Sequence, residues 1–164
     1  MPVRVYVGVG SNIDARRNIR LGIDALRKRF GQLIISPVYE SEPVGCSGKN
    51  FHNLVIGFNS NETWEEIAAV LHEIEAGFGR NQVGEPMSSR TLDLDLLLYD
   101  DLVIDDGHVQ LPRPDVLQYA FVLRPLAEIA GDYVHPVLGR NYRELWQTFD
   151  RRGQQLWPVD LDTE

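Results

Sequence analysis

The stretch Arg90-Thr91-Leu92-Asp93-Leu94-Asp95-Leu96-Leu97-Leu98-Tyr99 decides how this chain folds. In a strand, successive side chains point to opposite faces. Leu92, Leu94, Leu96 and Leu98 then share one face, and Asp93 and Asp95 the other. The pattern predicts a central strand over Leu92–Tyr99 with helices on its leucine face. The two carboxylates stand side by side on the opposite face, their Cα atoms roughly 6.6–7 Å apart.

Upstream, Thr63 and Glu66 match a capping box. The helix they open carries one apolar stripe, Trp64, Ile67, Ala68, Leu71, Ile74 and Phe78, and runs out at Gly77 and Gly79. Asn81 to Ser89 holds Gly84, Pro86 and two serines with little apolar content, and reads as a mobile loop. Nearer the N-terminus, Val3–Val9 reads as a buried strand and Asp14–Phe30 as a helix stopped by Gly31. Leu33–Glu40 reads as a second strand, Pro43–Asn50 as a loop and Phe51–Asn59 as a third strand. Downstream come a short strand near Leu102–Ile104, a polar turn at Asp105-Asp106-Gly107 and helices around Phe121–Ala130 and Tyr142–Arg151. The order β-α-β-β-α-β is that of the ferredoxin-like split unit. The fold class is therefore α+β, a sandwich of an antiparallel sheet and the helices packed on it, those of the split unit on one side.

Composition narrows the function classes. The 164 residues carry 24 acidic and 16 basic side chains, a net charge of −8, with 43% hydrophobic content, the mix of one ordinary globular domain over 1–164. The acidic balance argues against a nucleic-acid partner. Cys46 alone allows neither an intramolecular disulfide nor a multi-cysteine zinc site, and points to a reducing compartment. The start of the chain has no signal-peptide layout and no apolar run suits a membrane span, so a cytoplasmic location is expected; a monomer is expected too, though nothing in the sequence fixes the oligomeric state. His52, His72, His108 and His135 show no metal-ligand spacing.

Two ionised carboxylates this close on a sheet repel each other and resist desolvation. A cation beside them relieves both costs, and Mg²⁺ typically binds through one or two carboxylates plus substrate phosphates. A solvated outer face would also tolerate alternating Leu and Asp. Arg80 and Arg90 flank the loop leading into the pair, and cations meeting carboxylates at a sheet edge suit a magnesium nucleotide.

The stretch Arg90–Leu97 resembles the signature of the 6-hydroxymethyl-7,8-dihydropterin pyrophosphokinase family of folate biosynthesis. The likeness runs colinearly from about Val5 to Pro136, through Gly10-Ser11-Asn12, Tyr39 with Pro43 and Gly45, Phe51-His52-Asn53, Glu75, Gly79-Arg80, Leu111-Pro112, Phe121 and Pro125-Leu126. It implies the ferredoxin-like fold and transfer of pyrophosphate from ATP to the pterin hydroxymethyl group, with release of AMP. It implies that Asp93 and Asp95 hold two Mg²⁺ ions and that Arg80 and Arg90 face the phosphates. Phe51 and Phe121 would sandwich the pterin, Asn53 would bind its polar edge, and Ser41 to Gly45, including Val44, would offer backbone groups to that edge. Glu75 falls at an ATP-contacting position.

The chain departs from the family pattern on the nucleotide side. Asn81–Ser89 carries no cation where better-known bacterial members have arginines and a tryptophan. Arg113-Pro114 stands in place of a His-Tyr pair, and Tyr119 in place of an arginine. Arg113 then re-supplies charge for ATP, or the chain is a divergent paralogue that binds pterin or acts slowly on a modified one. A non-catalytic pterin-binding module and a ferredoxin-like interaction domain are the readings from other classes.

Overall fold

The computed structural model describes residues 1–43, 48–79 and 91–161. In chain order its elements are β1 (Val3–Ser11), α1 (Ala15–Phe30), β2 (Ile34–Ile35), β3 (Val38–Ser41), β4 (Phe51–Ser60), α2 (Trp64–Phe78) and β5 (Asp93–Tyr99). There follow β6 (Ile104–Asp105), β7 (Gln110–Leu111), α3 (Asp115–Gln118), α4 (Ala120–Ala130), α5 (Tyr142–Gln147) and β8 (Leu156–Val159).

The main sheet runs β5-β1-β4-β3-β8, with β2 also paired to β4, and all its pairings are antiparallel. Among β1, β3, β4 and β5 this is the strand order of the ferredoxin-like split unit, and the fold is of that class. β5 therefore lies at the rim of the sheet, not at its centre as the pattern predicts, because the crossover through α2 returns the chain outside β1.

Two hydrophobic layers hold the sheet. Val5, Val7, Val9, Leu54, Ile56 and Phe58 face Ile19, Ile23 and Leu26 of α1 and Ile67 and Leu71 of α2. On the other face Tyr6, Val55, Leu97 and Leu98 meet Val116, Leu123, Leu126 and Leu145 from α3, α4 and α5. The rival reading of a solvated outer face does not hold, since that face is largely covered. The predicted leucine stripe also breaks. Leu94 and Leu96 enter the first layer, but Leu98 joins the second. Its cause is a β-bulge: Val7 pairs with Leu96 and Tyr6 with Leu98, which leaves Leu97 as a surplus residue that shifts the alternation.

Three other expectations are corrected. Leu33–Glu40 is two strands, interrupted where Ser36 exchanges hydrogen bonds with Val55 and Pro37 offers no N–H. The last helix ends at Gln147, short of Arg151. Helix α3 and strands β7 and β8 were not read from the sequence at all. The capping box of α2 is present in both directions, with the Thr63 N–H donating to Glu66 and the Glu66 N–H to Thr63.

Candidate active site

Asp93 and Asp95 leave β5 on the face opposite Leu94 and Leu96, as their spacing predicts. Directly across on β1 stand Gly10 and Gly8, and beyond them on β4 stand Asn53 and Val55. Two positions without side chains thus separate the acids from β4. They leave a shallow furrow that neighbouring side chains partly fill: a Cβ on Gly10 would lie 2.5 Å from Asn53 Oδ1, and one on Gly8 would lie 3.6 Å from the Leu97 side chain. The Asn53 Nδ2 is buried with no hydrogen-bond partner. An unmet buried donor costs about 1–3 kcal/mol, so this amide is poised for an acceptor from outside the chain.

Electrostatics at the acids are unbalanced. Burial, reinforced by the charge of Asp93, pushes the Asp95 carboxyl up to about 8, and Arg113 opposes the shift. Arg113 reaches Asp95 Oδ1 at 3.5 Å through Nη2 and Asp115 Oδ1 at 3.4 Å through Nε. The Nε is buried without a hydrogen bond. Both pairs are loose, so the guanidinium keeps donors for a further anion. The Arg113 backbone N–H donates to the Leu97 carbonyl at 2.9 Å, so the bulge in β5 anchors the one described cation seen pairing with Asp95. Glu75 closes the same cluster from α2. Its Oε2 accepts the Leu94 N–H at 2.7 Å on the open edge of β5. Burial raises the Glu75 pKa, the Leu94 N–H lowers it and Asp93 raises it further.

Asp93, Asp95, Glu75 and Arg113 line one cleft of about 670 Å³. Its donors at the acid pair are half-buried and all oxygen, and Asp93, Asp95 and Asp115 outnumber the one guanidinium beside them. That suits a hard divalent cation. Among the described residues no group of three or more His, Cys, Asp or Glu forms a ligand cage, so such an ion would complete its coordination with water or substrate oxygens.

The other predicted residues gather beyond the furrow. Ser41, buried at the end of β3, is in register with Phe51, and Tyr39 with Asn53, which places Ser41, Phe51 and Asn53 on the same face as the acids. Ser41 and Phe121 line a second cavity of about 400 Å³. The Phe121 ring stacks on Tyr119, centroids 5.1 Å apart and planes at 19°. Arg80, Arg90, Val44, Gly45 and the Asn81–Ser89 segment lie outside the described residues. Sequence reading missed Gly8 as part of the furrow, Asp115 as the second partner of Arg113, and Tyr119 as the support of Phe121. The glycines left a signal: Gly8 and Gly10 are two apart in a strand, and so face one way.

The sequence model of 7,8-dihydro-6-hydroxymethylpterin-pyrophosphokinase (HPPK) matches residues 6–131, which span β1 through α4 and every described member of the site. The chain belongs to this family. Among curated HPPK relatives, 2-amino-4-hydroxy-6-hydroxymethyldihydropteridine pyrophosphokinase of Pseudomonas aeruginosa is 34% identical, over 87% of this chain and 89% of its own. The enzyme of the same name from Synechocystis is 33% identical, over 93% of this chain and 78% of its own. The folic acid synthesis protein fol1 of Pneumocystis carinii is 35% identical over 82% of this chain, which spans only 18% of that longer protein. In fold, the chain is similar to an HPPK-DHPS crystal structure with a TM-score of 0.71 at 12% identity, covering 90% of this chain and 43% of that one. The chain thus spans less than half the length of these two longer proteins. No described helix is long and apolar enough to cross a membrane.

Proposed function

We propose that the chain transfers the pyrophosphoryl group of ATP to the hydroxymethyl oxygen of 6-hydroxymethyl-7,8-dihydropterin, the step for which its HPPK relatives are named. The hydroxymethyl oxygen bonds to the β-phosphorus, the bond from that phosphorus to the α–β bridging oxygen breaks, AMP leaves, and the hydroxyl proton is released. The observation that carries the reading is the cross-strand row Asp93–Gly10–Asn53, which presents an acid pair and an unpartnered amide on one face with only a glycine between them. A charged phosphate chain needs the first and a flat, polar-edged ring the second.

In this reading Asp93 and Asp95 hold two Mg²⁺ ions, which when bound supply positive charge to the attacking and leaving oxygens. Arg113, tethered at the bulge, turns its spare donors to the phosphates together with Arg80 and Arg90, where fixed charge is worth most as negative charge builds. Arg113 thereby makes up for the cations that Asn81–Ser89 lacks. Glu75 faces the nucleotide cleft while holding β5. Phe51 and Phe121 flank the pterin, Asn53 donates to its polar edge, and Ser41, Val44 and Gly45 offer backbone groups there. Residues 1–164 work as one domain, a cytoplasmic monomer with small-molecule partners.

Incubation with Mg-ATP and the pterin, followed by chromatography for AMP, tests the reading. AMP should form in proportion to enzyme, and Asp95→Asn should abolish it. Pterin binding without AMP would leave a binding module in place of an enzyme.

A further inference from the structure

Helix α4 begins without a capping side chain of its own, because its N-cap residue is Tyr119. The task falls to a residue from far along the chain. Gln154 Oε1 accepts the Ala120 N–H at 2.8 Å, and its Nε2 donates to the Gln118 carbonyl at 3.0 Å. One amide thus bridges the junction between α3 and α4 on both sides of Tyr119. The next residue is Phe121, and its ring rests on Tyr119.

Gln154 is itself held firmly. Gly153, at φ 71°, turns the chain in a conformation that favours glycine, and the Gln154 N–H closes that turn on the Arg151 carbonyl at 2.8 Å. Two residues later β8 pairs with β3, with Leu156 in register with Ser41. Gln154, Leu156, Ser41 and Phe121 all line the 400 Å³ cavity. The tail of the chain therefore walls that cavity and clamps the helix that brings Phe121 to it.

We infer that Gln154 is a positioning residue for the pterin, acting through Phe121. The inference rests on the proposed pterin role of Phe121, and it adds the residues after α5 to the substrate site. A platform for a flat ring is useful only at the right height and tilt, and the first turn of a helix frays unless it is capped. Losing the Gln154 amide frees that turn without touching the acid pair.

The test compares wild type with Gln154→Ala, Gln154→Asn and Gln154→Glu. Pterin affinity is measured by calorimetry in the presence of a non-hydrolysable Mg-nucleotide, nucleotide affinity is measured separately, and steady-state kinetics are recorded. Gln154→Ala should raise the pterin Kd and KM roughly tenfold while leaving kcat and nucleotide affinity near wild type. Gln154→Glu keeps the acceptor for the Ala120 N–H but sets a carboxylate oxygen against the Gln118 carbonyl, and should recover at most part of the loss. Gln154→Asn keeps the amide but shortens its reach, and provides the milder variant should the alanine protein not fold. An unchanged pterin Kd in both the alanine and asparagine variants would overturn the inference. So would a parallel loss for both ligands. A wild-type protein that binds no pterin would sink the parent reading instead, before any variant is compared.

Discussion

Replacing Asp95 by Asn removes a carboxyl group whose ionisation the fold resists. In the metal-free protein Asp95 keeps its proton up to about pH 8, whereas the unfolded chain releases it near the ordinary value of 3.8. Between those values the native state binds the extra proton, so stability falls as pH rises through the window. Asp95→Asn should therefore raise the Tm of metal-free protein more at pH 8 than at pH 4, by about 3 °C for each kcal/mol relieved. Thermal melts at the two pH values check this, and a lower Tm at pH 8 would contradict the strain assigned to the acid pair. Gly10→Ala makes a prediction of the opposite kind. Its Cβ would meet Asn53 Oδ1 at 2.5 Å and rotate the amide off its line. Pterin affinity should fall on the order of tenfold, the worth of one misdirected hydrogen bond, while Mg-nucleotide affinity persists. Separate titrations with each ligand would show it.

At the scale of elements, α2 and β5 share an apolar layer, and one carboxylate adds a hydrogen bond between them. Glu75 caps the Leu94 N–H, which has no strand to pair with because β5 is the rim. In Glu75→Ala, amide exchange at Leu94 should accelerate at least about tenfold, the effect of losing about 1.4 kcal/mol of protection, while β1 amides hold their rates. Equal acceleration in β1 would mean that Glu75 supports the whole sheet. What could be read in advance divides along the same line between local and distant causes. Helix α2 was legible because Thr63, Glu66 and the apolar stripe all lie within its own turns. The acid pair was legible because alternation is a property of one strand. The bulge was not, since nothing in Leu96-Leu97-Leu98 announces that Tyr6 and Val7 will skip a residue. Strand β8 was hidden by Pro158, which argues against a strand and is tolerated only because β8 is an edge. Helix α3, at four residues, is too short to show a period. The furrow needed three strands in register before its two glycines acquired a meaning.

For the whole molecule, a net charge of −8 and a desolvated acid pair both oppose a bare polyphosphate. ATP with magnesium should therefore stabilise the protein far more than ATP with a chelator. At a hundredfold excess over Kd, a native-state ligand adds about 2.7 kcal/mol, or about 5–10 °C in Tm for a chain of this size. Equal shifts with and without magnesium would count against the acids as holders of the nucleotide's cation. The surplus Leu97 has a last consequence, for the lengths this strand can take. Excising Leu97 leaves a regular ladder, Leu96 on Val7 and Leu98 on Tyr6, with every other β5 side chain still on its present face. The deletion forfeits a buried leucine and the carbonyl peg on which Arg113 hangs. A homologue one residue shorter here would preserve its architecture yet have to moor its phosphate-side cation elsewhere. In the shortened protein, weakened nucleotide binding beside intact pterin binding would be the sign of that lost mooring.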